Sequence, residues 1–176
     1  MLSNISDFTN NSDLLYLFTA VTIVDLIVIY IARNTELLGS KNSNLNIWYD
    51  KFGISAVILD IFIIIIGFII TRYIFYINNF SFSPLLFISI AVSVQLIHDY
   101  LFYAFVISPT PYGVNDLMDV YKNYAKDGGY KILGGDSAMV ISSALIAMYL
   151  KSLPSSYSSS LLIISIYLIP YLLFQN

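Results

Sequence analysis

The sequence predicts an all-α integral membrane protein, a bundle of about five transmembrane helices with one short amphipathic helix at the membrane interface. Charged residues make up 11% of the chain and hydrophobic residues 58%. A water-soluble domain carries about 25% charged residues, so this chain has too few to cover a surface in water. Nearly continuous apolar runs such as 56–70 and 85–97 lie in segments long enough to cross a bilayer, which takes about 20 helical residues.

The apolar segments place five spans in a single transmembrane domain that covers residues 1–176. The predicted spans are 14–33, 53–74, 84–107, 132–151 and 156–174. Their apolar residues are continuous rather than alternating, which excludes a transmembrane β-barrel. The connection 34–45 is polar, rich in Asn and Ser and without periodicity, so we predict a flexible loop there.

The third connection contains the interfacial helix, which we predict over residues 115–127. The apolar residues that recur at helical spacing are Leu117, Val120, Tyr121 and Tyr124. Asn115 or Gly113 could cap the start of the helix, and the Gly128-Gly129 pair would end it. An amphipathic helix between two spans lies most simply in the membrane interface. The alternative is a surface that docks a partner protein.

The basic residues predict how the chain is oriented in the membrane, because cytoplasmic connections carry an excess of Lys and Arg. The first and third connections hold Arg33, Lys41, Lys51, Lys122, Lys126 and Lys131. These connections are cytoplasmic if the N-terminus is outside or lumenal and the C-terminus cytoplasmic. Three Asn-X-Ser sequons, at Asn4, Asn10 and Asn79, then fall outside.

Several classes of chemistry are excluded or disfavoured by composition. The chain has no cysteine, which excludes disulfides, iron–sulfur clusters and thiol redox chemistry. A single histidine is too few for the iron centres of membrane desaturases and hydroxylases, and no ligand-spacing motif for a metal is present, so we predict neither a metal nor another cofactor. The sequence pI of about 4.7 and the lack of a basic patch predict no nucleic-acid partner.

Polar side chains within the spans fall into one layer. These intramembrane residues are Asp25, Asp60, Gln95, His98, Asp99, Tyr103 and Asp136. With a helical rise of about 1.5 Å per residue, the ionisable ones lie roughly 6–14 Å from the inner ends of their spans. Ionisable residues at such depth are costly and often mark a proton or ion pathway. The charges expected beside this layer, at the inner interface, are Asp50, Lys51 and Lys131.

The single histidine raises the question of its partner. Adjacent helical residues diverge by about 100°, so we expect His98 to meet Asp25 or Asp60 on a neighbouring span rather than Asp99. The residues available to Asp99 along its own helix are Gln95 and Tyr103. The lysines of the inner interface could reach the same layer.

Three functions fit these residues. The first is a protein that passes or senses protons or small cations through the buried Asp/His/Gln layer. The second is a structural or scaffolding protein whose polar layer only fixes helix packing. The third, which we favour least, is an intramembrane hydrolase that uses the carboxylates of "WYD" (Asp50) and "LGGD" (Asp136). Leu133 replaces the first glycine of the expected GxGD motif, so we expect no enzyme activity.

Three blocks of the chain resemble a known group of sequences. The blocks are "IWYDKFGISAVILDI" (47–61), "VQLIHDYLFY" (94–103) and "VYKNYAKDGGYKILGGDSAMVISSALIA" (120–147). They resemble an uncharacterised family of small polytopic membrane proteins encoded by giant (nucleocytoplasmic large) DNA viruses. The resemblance implies a viral protein of host endomembranes or of the virion inner membrane, and it implies no activity. The expected partners are the lipid bilayer and further copies of the chain or other membrane proteins.

Overall fold

The computed structural model describes residues 2–38, 40 and 43–175. Lys41, which we counted among the basic residues of the first connection, lies outside them. The described residues form seven α-helices and no strand: α1 Asp13–Asn34, α2 Asn44–Phe52, α3 Ile54–Asn78, α4 Pro84–Phe102, α5 Asp116–Gly128, α6 Tyr130–Leu150 and α7 Ser155–Leu173. A π-helical segment, Tyr103–Ile107, continues α4. Five helices (α1, α3, α4 with its π segment, α6 and α7) are long and apolar enough to cross a membrane. The predicted fold class is confirmed.

The helix α2 is the main departure from the sequence-based expectation, which treated residues 34–45 as a loop and assigned no helix after it. Ser43 caps the helix by accepting a hydrogen bond from the Asn46 backbone N–H at 3.3 Å. A helix of nine residues is too short to show a clear period or to be stable alone. Packing stabilises it instead, because Trp48 and Tyr49 are buried against the spans.

The helix predicted over residues 115–127 is present as α5, and its location in the membrane interface stays a prediction. The Asn115 side chain caps it by accepting hydrogen bonds from the backbone N–H groups of Leu117 and Met118, at 2.9 and 3.3 Å. The helix ends at Gly128, and Gly129 follows with φ +50°. Of the two candidate N-caps the structure therefore uses Asn115, and the predicted end of the helix is confirmed.

Four spans form a ring in which α1 packs against α3, α3 against α4, α4 against α6, and α6 against α1. The last span, α7, packs along the outer side of α1 and runs parallel to it. Near their starts, the Thr19 hydroxyl donates to the Ser158 carbonyl at 3.2 Å. Near their ends, the Arg33 guanidinium donates to the Leu173 carbonyl at 3.1 Å.

Small residues line the contacts between the spans. The fully or nearly fully buried alanines are Ala20, Ala32, Ala56, Ala91, Ala144 and Ala147. Small side chains let transmembrane helices approach closely. Large apolar side chains such as Ile58, Phe62, Ile66 and Ile70 on α3 are exposed instead, which places them against lipid.

One end of the bundle, where α1, α4 and α7 begin, is closed by an ion cluster of Asp13, Arg72 and Lys151. The side chains of Asp13 and Arg72 are 0% and 2% exposed. The Lys151 ammonium lies 2.6 Å from one oxygen of Asp13, and the Arg72 guanidinium lies 4.0 Å from the other. The sequence analysis did not single out Asp13.

The ion cluster also holds residues 2–12, which lie over this end of the bundle. Arg72 donates hydrogen bonds to the backbone carbonyls of Asp7 and Asn10, and Lys151 donates to that of Asn4. Ile5, within this segment, is completely buried. The opposite end, where α2 and α5 lie, is called the short-helix end below.

Candidate functional site

Each of the four ring helices carries one aspartate near the short-helix end. Asp25 lies on α1, Asp60 on α3, Asp99 on α4 and Asp136 on α6, and together they are called the carboxylate cluster. Tyr121 of α5 lies among them. Burial, and then the nearby charges of Asp60, Asp136 and Asp99, raise the pKa of the Tyr121 phenol well above its ordinary value.

Two further tyrosines indicate which carboxylates lie beneath each short helix. Burial, followed by the charges of Asp25 and Asp60, raises the pKa of Tyr49 on α2. Burial, followed by the charges of Asp136 and Asp60, raises the pKa of Tyr124 on α5 to about 12. The four acids of the ring therefore lie beneath the phenols of the two short helices.

Asp25 is the most isolated member of the cluster. Its side chain is 0% exposed, and neither carboxylate oxygen has a hydrogen-bond partner among the described residues. Nearby residues on α1, Val21, Val24 and Ile29, are buried and apolar. A charged carboxylate without a partner in such surroundings is very costly.

Asp60 accepts a hydrogen bond from an aromatic side chain of α2 that the sequence analysis did not identify as a partner. The Trp48 indole N–H of α2 donates to the Asp60 carboxylate at 3.1 Å. The Trp48 ring lies 4.9 Å from the rings of Phe52 and Tyr121, measured between centroids. The amphipathic pattern around Tyr121 was visible in the sequence, but nothing there indicated contact with Trp48.

Replacing Trp48 with phenylalanine should destabilise the protein by about 1–3 kcal/mol, because Asp60 would lose its donor while the aromatic packing is largely kept. Thermal unfolding in detergent, followed by circular dichroism, measures the change. Phe52→Leu, which removes a neighbouring ring without removing a hydrogen bond, is the control. Equal stability of Trp48→Phe and the wild type would show that the indole N–H contributes nothing.

The polar residues of α4 bond to one another rather than to other spans. Gln95 donates to the Asp99 carboxylate at 2.8 Å, and His98 Nδ1 lies 3.1 Å from the same oxygen. The expectation that His98 meets Asp25 or Asp60 is therefore wrong. The His98 ring stacks on Phe102 one turn later, with centroids 5.6 Å apart. This rotamer carries Nδ1, the ring nitrogen nearest the backbone, around to the adjacent carboxylate.

The other predicted residues lie outside the cluster. Tyr103 begins the π segment, is 48% exposed, and its hydroxyl has no partner among the described residues. Asp50 pairs with Arg33 at 2.6 Å, and Lys51 pairs with Asp116 at 3.0 Å. Lys131 is exposed and forms no ion pair within the described part of the chain. Neither lysine is paired with the four acids.

The cluster does not have the geometry of a metal centre. Among residues 2–38, 40 and 43–175, no three His, Asp or Glu side chains lie close enough to hold one metal ion. A depression of about 330 Å³ lies elsewhere, between α1 and α7, and is lined by Leu26, Ile27, Tyr30, Leu168, Tyr171 and Leu172. It is apolar and faces the lipid.

Comparison with protein families, curated proteins and solved structures finds no match to this chain. The resemblance to a viral family therefore stays a prediction. What the structure establishes is an integral membrane protein with five spans, in which one completely buried carboxylate, Asp25, and three half-buried ones lie beneath two short helices.

Proposed function

We propose that this multi-pass membrane protein takes up and releases protons, or a small cation in their place, at the carboxylate cluster, and that it thereby passes or senses them. The observation that carries the proposal is Asp25, a completely buried carboxylate with both oxygens unpartnered. Ionisable groups inside a membrane protein often mark such a pathway. A carboxylate with no structural partner is free to bind a proton.

The hydrogen bonds of the cluster support this function over a packing role. A polar layer that fixes packing would bond from one span to another. Here Gln95 and His98 contact Asp99 within α4, and Trp48 of a short helix contacts Asp60. Within the described residues, no hydrogen bond of the cluster joins two spans. The cluster thus contributes little to holding the ring together.

Electrostatics favours a proton as the bound species. Like charges close together in a poorly solvated site cannot all be ionised, so such a group of acids shares protons. Removing the charge also removes most of the cost of burial. Protons can therefore enter or leave the cluster as the access of water changes.

Both ends of the bundle are covered in this structure. Residues 2–12 and the ion cluster close one end, and α2 and α5 close the other. This arrangement supports a gated pathway or a sensor rather than an open pore. It also supports the second candidate, a scaffolding membrane protein, which the following experiment separates from the first.

The test is proton uptake by the protein in vesicles that contain a pH-sensitive dye, with a potassium gradient and valinomycin to drive entry. A pathway predicts uptake above that of protein-free vesicles, and Asp25→Asn should return it to their level. Asp50→Asn removes an exposed, Arg33-paired carboxylate and is the matched control. A sensor predicts no uptake but a change in the fluorescence of Trp48, the single tryptophan, between pH 5 and 8. If the protein showed neither proton uptake nor a fluorescence change, the proposal would be contradicted and the scaffolding function would remain.

For orientation we propose that the short-helix end is cytoplasmic, with the N-terminus outside or lumenal. Basic residues supported this orientation in the sequence, and Arg33, Lys51 and Lys131 lie on helices that end or begin at the short-helix end. Cytoplasmic connections are enriched in such residues. From the resemblance to a viral family, we propose in addition that the protein lies in a host endomembrane or in the virion inner membrane.

A further inference from the structure

Two junctions of the chain have almost the same backbone. Gly53 joins α2 to α3 with φ +53° and ψ −126°, and Gly129 joins α5 to α6 with φ +50° and ψ −132°. This region is accessible essentially to glycine alone. Seven residues after each glycine comes a carboxylate of the cluster, Asp60 in the first case and Asp136 in the second.

The likeness extends to whole units. Each unit consists of a span with an aspartate of the carboxylate cluster (Asp25 or Asp99), a short helix capped by a side chain (Ser43 or Asn115), a glycine, and a second span. The contacts repeat as well: α1 packs against α3 and α6, while α4 packs against α6 and α3. A twofold axis along the bundle would exchange the two units, and α7 has no counterpart.

Parallel repeats related by an axis along the membrane normal are known in transporters, where the binding site lies at the interface of the repeats. In this chain the same interface holds the carboxylate cluster. The short helices α2 and α5 contact each other directly over it. They occupy equivalent places in the two units.

We propose that the chain is a duplicated three-helix unit, and that α2 and α5 are the two leaves of a lid, hinged at Gly53 and Gly129, which opens the carboxylate cluster to water at the short-helix end. The role of this lid rests on the proposed function, since protons or a cation would reach the acids through the open lid. Its geometry can be tested separately.

The contacts between the leaves suit a lid that opens. Lys51 of α2 pairs with Asp116 of α5 at 3.0 Å, and these side chains are 42% and 72% exposed. Asn44 donates to Asp127 at 2.5 Å, also at the surface. Exposed pairs of this kind contribute little to stability. The strongest contact between leaves is therefore the packing of the Trp48 ring against the Tyr121 ring, tilted by 32° with centroids 4.9 Å apart.

The test uses the absence of native cysteine. Ala56→Cys places a thiol at a completely buried position one turn before Asp60, and its reaction with a cationic, water-soluble thiosulfonate in detergent measures opening. Gly129→Ala meets no atom within 4 Å, so its effect is confined to the backbone of the hinge. Strain in the closed lid should raise the labelling rate about fivefold or more. Gly113→Ala, at another positive φ of +83° with open space around it, should leave the rate unchanged.

A second reporter separates opening from unfolding. Ala144→Cys lies completely buried in the middle of α6 and should stay protected in every variant. If Gly129→Ala does not fold, Lys51→Gln tests the same lid through its exposed ion pair and should raise Ala56→Cys labelling about twofold. Unchanged labelling in the variants, or parallel labelling of Ala144→Cys, would overturn the lid. A lid that is overturned in this way would leave the proposed function intact if proton uptake still depended on Asp25. Increased labelling of Ala56→Cys without any proton uptake would contradict the proposed function and leave the lid intact.

Discussion

Replacing Arg72 with methionine is expected to lower the melting temperature in detergent by about 10 °C, from a loss of about 3–5 kcal/mol. Methionine keeps most of the apolar volume but removes the charge beside Asp13. It also removes the donor to the backbone carbonyls of Asp7 and Asn10. Breaking a buried pair from one side leaves groups without partners, which is why the effect should be large. Thermal unfolding followed by circular dichroism measures it.

The matched control is Lys51→Met, which removes a cation from an exposed ion pair with Asp116. Its effect should stay within about 1 kcal/mol. If the two variants melted at the same temperature, the ion cluster would not be a major source of stability.

Replacing Asp25 with valine is expected to raise the melting temperature by about 5 °C while abolishing proton uptake. Removing a buried polar group that has no hydrogen-bond partner stabilises a protein by about 1–3 kcal/mol, and a gain of 1 kcal/mol is worth about 2–4 °C at this size. A group that stabilised the bundle by bonding between spans would show the opposite sign. A fall in melting temperature would therefore support the packing role of the polar layer.

Thr22→Val is the control for this substitution. Thr22 lies one turn before Asp25, is equally buried, and donates to the Phe18 carbonyl at 2.8 Å. Its replacement removes a satisfied polar group with little change of volume, so we expect a small effect on stability. The comparison isolates the contribution of the unpartnered carboxylate from the general effect of a more apolar α1.

The spans could be predicted because a single physical requirement, about 20 apolar helical residues, shows in the sequence. Helix α5 could be predicted because Asn115 and Gly129 mark its ends and its apolar face repeats. Helix α2 could not, since its stability comes from tertiary contacts such as those of Trp48 with Asp60 and with Tyr121 of α5. Such contacts cannot be inferred from the local sequence.

Some features of the candidate site could likewise be predicted from the sequence, and others could not. The depth of Asp25 and Asp60 follows from helical rise alone, and the structure places them toward the same end. The partner of His98 depended on a rotamer, which stacking on Phe102 decides. The burial of Asp13 at the start of α1 depended on where residues 2–12 lie. Neither can be inferred from positions along one helix.

The contacts of the N-terminal segment also bear on the order in which the chain matures during synthesis. The Ser3 backbone N–H donates to the Met148 carbonyl, and Lys151 donates to the Asn4 carbonyl. At about 5–20 residues per second, a ribosome needs roughly 7–30 s to make the chain between these partners. Residues 3 and 4 are therefore made well before the residues that hold them, and they dock only after Lys151 at the end of α6 has been made. A nascent chain that has not yet reached Lys151 still has this end of its bundle uncovered.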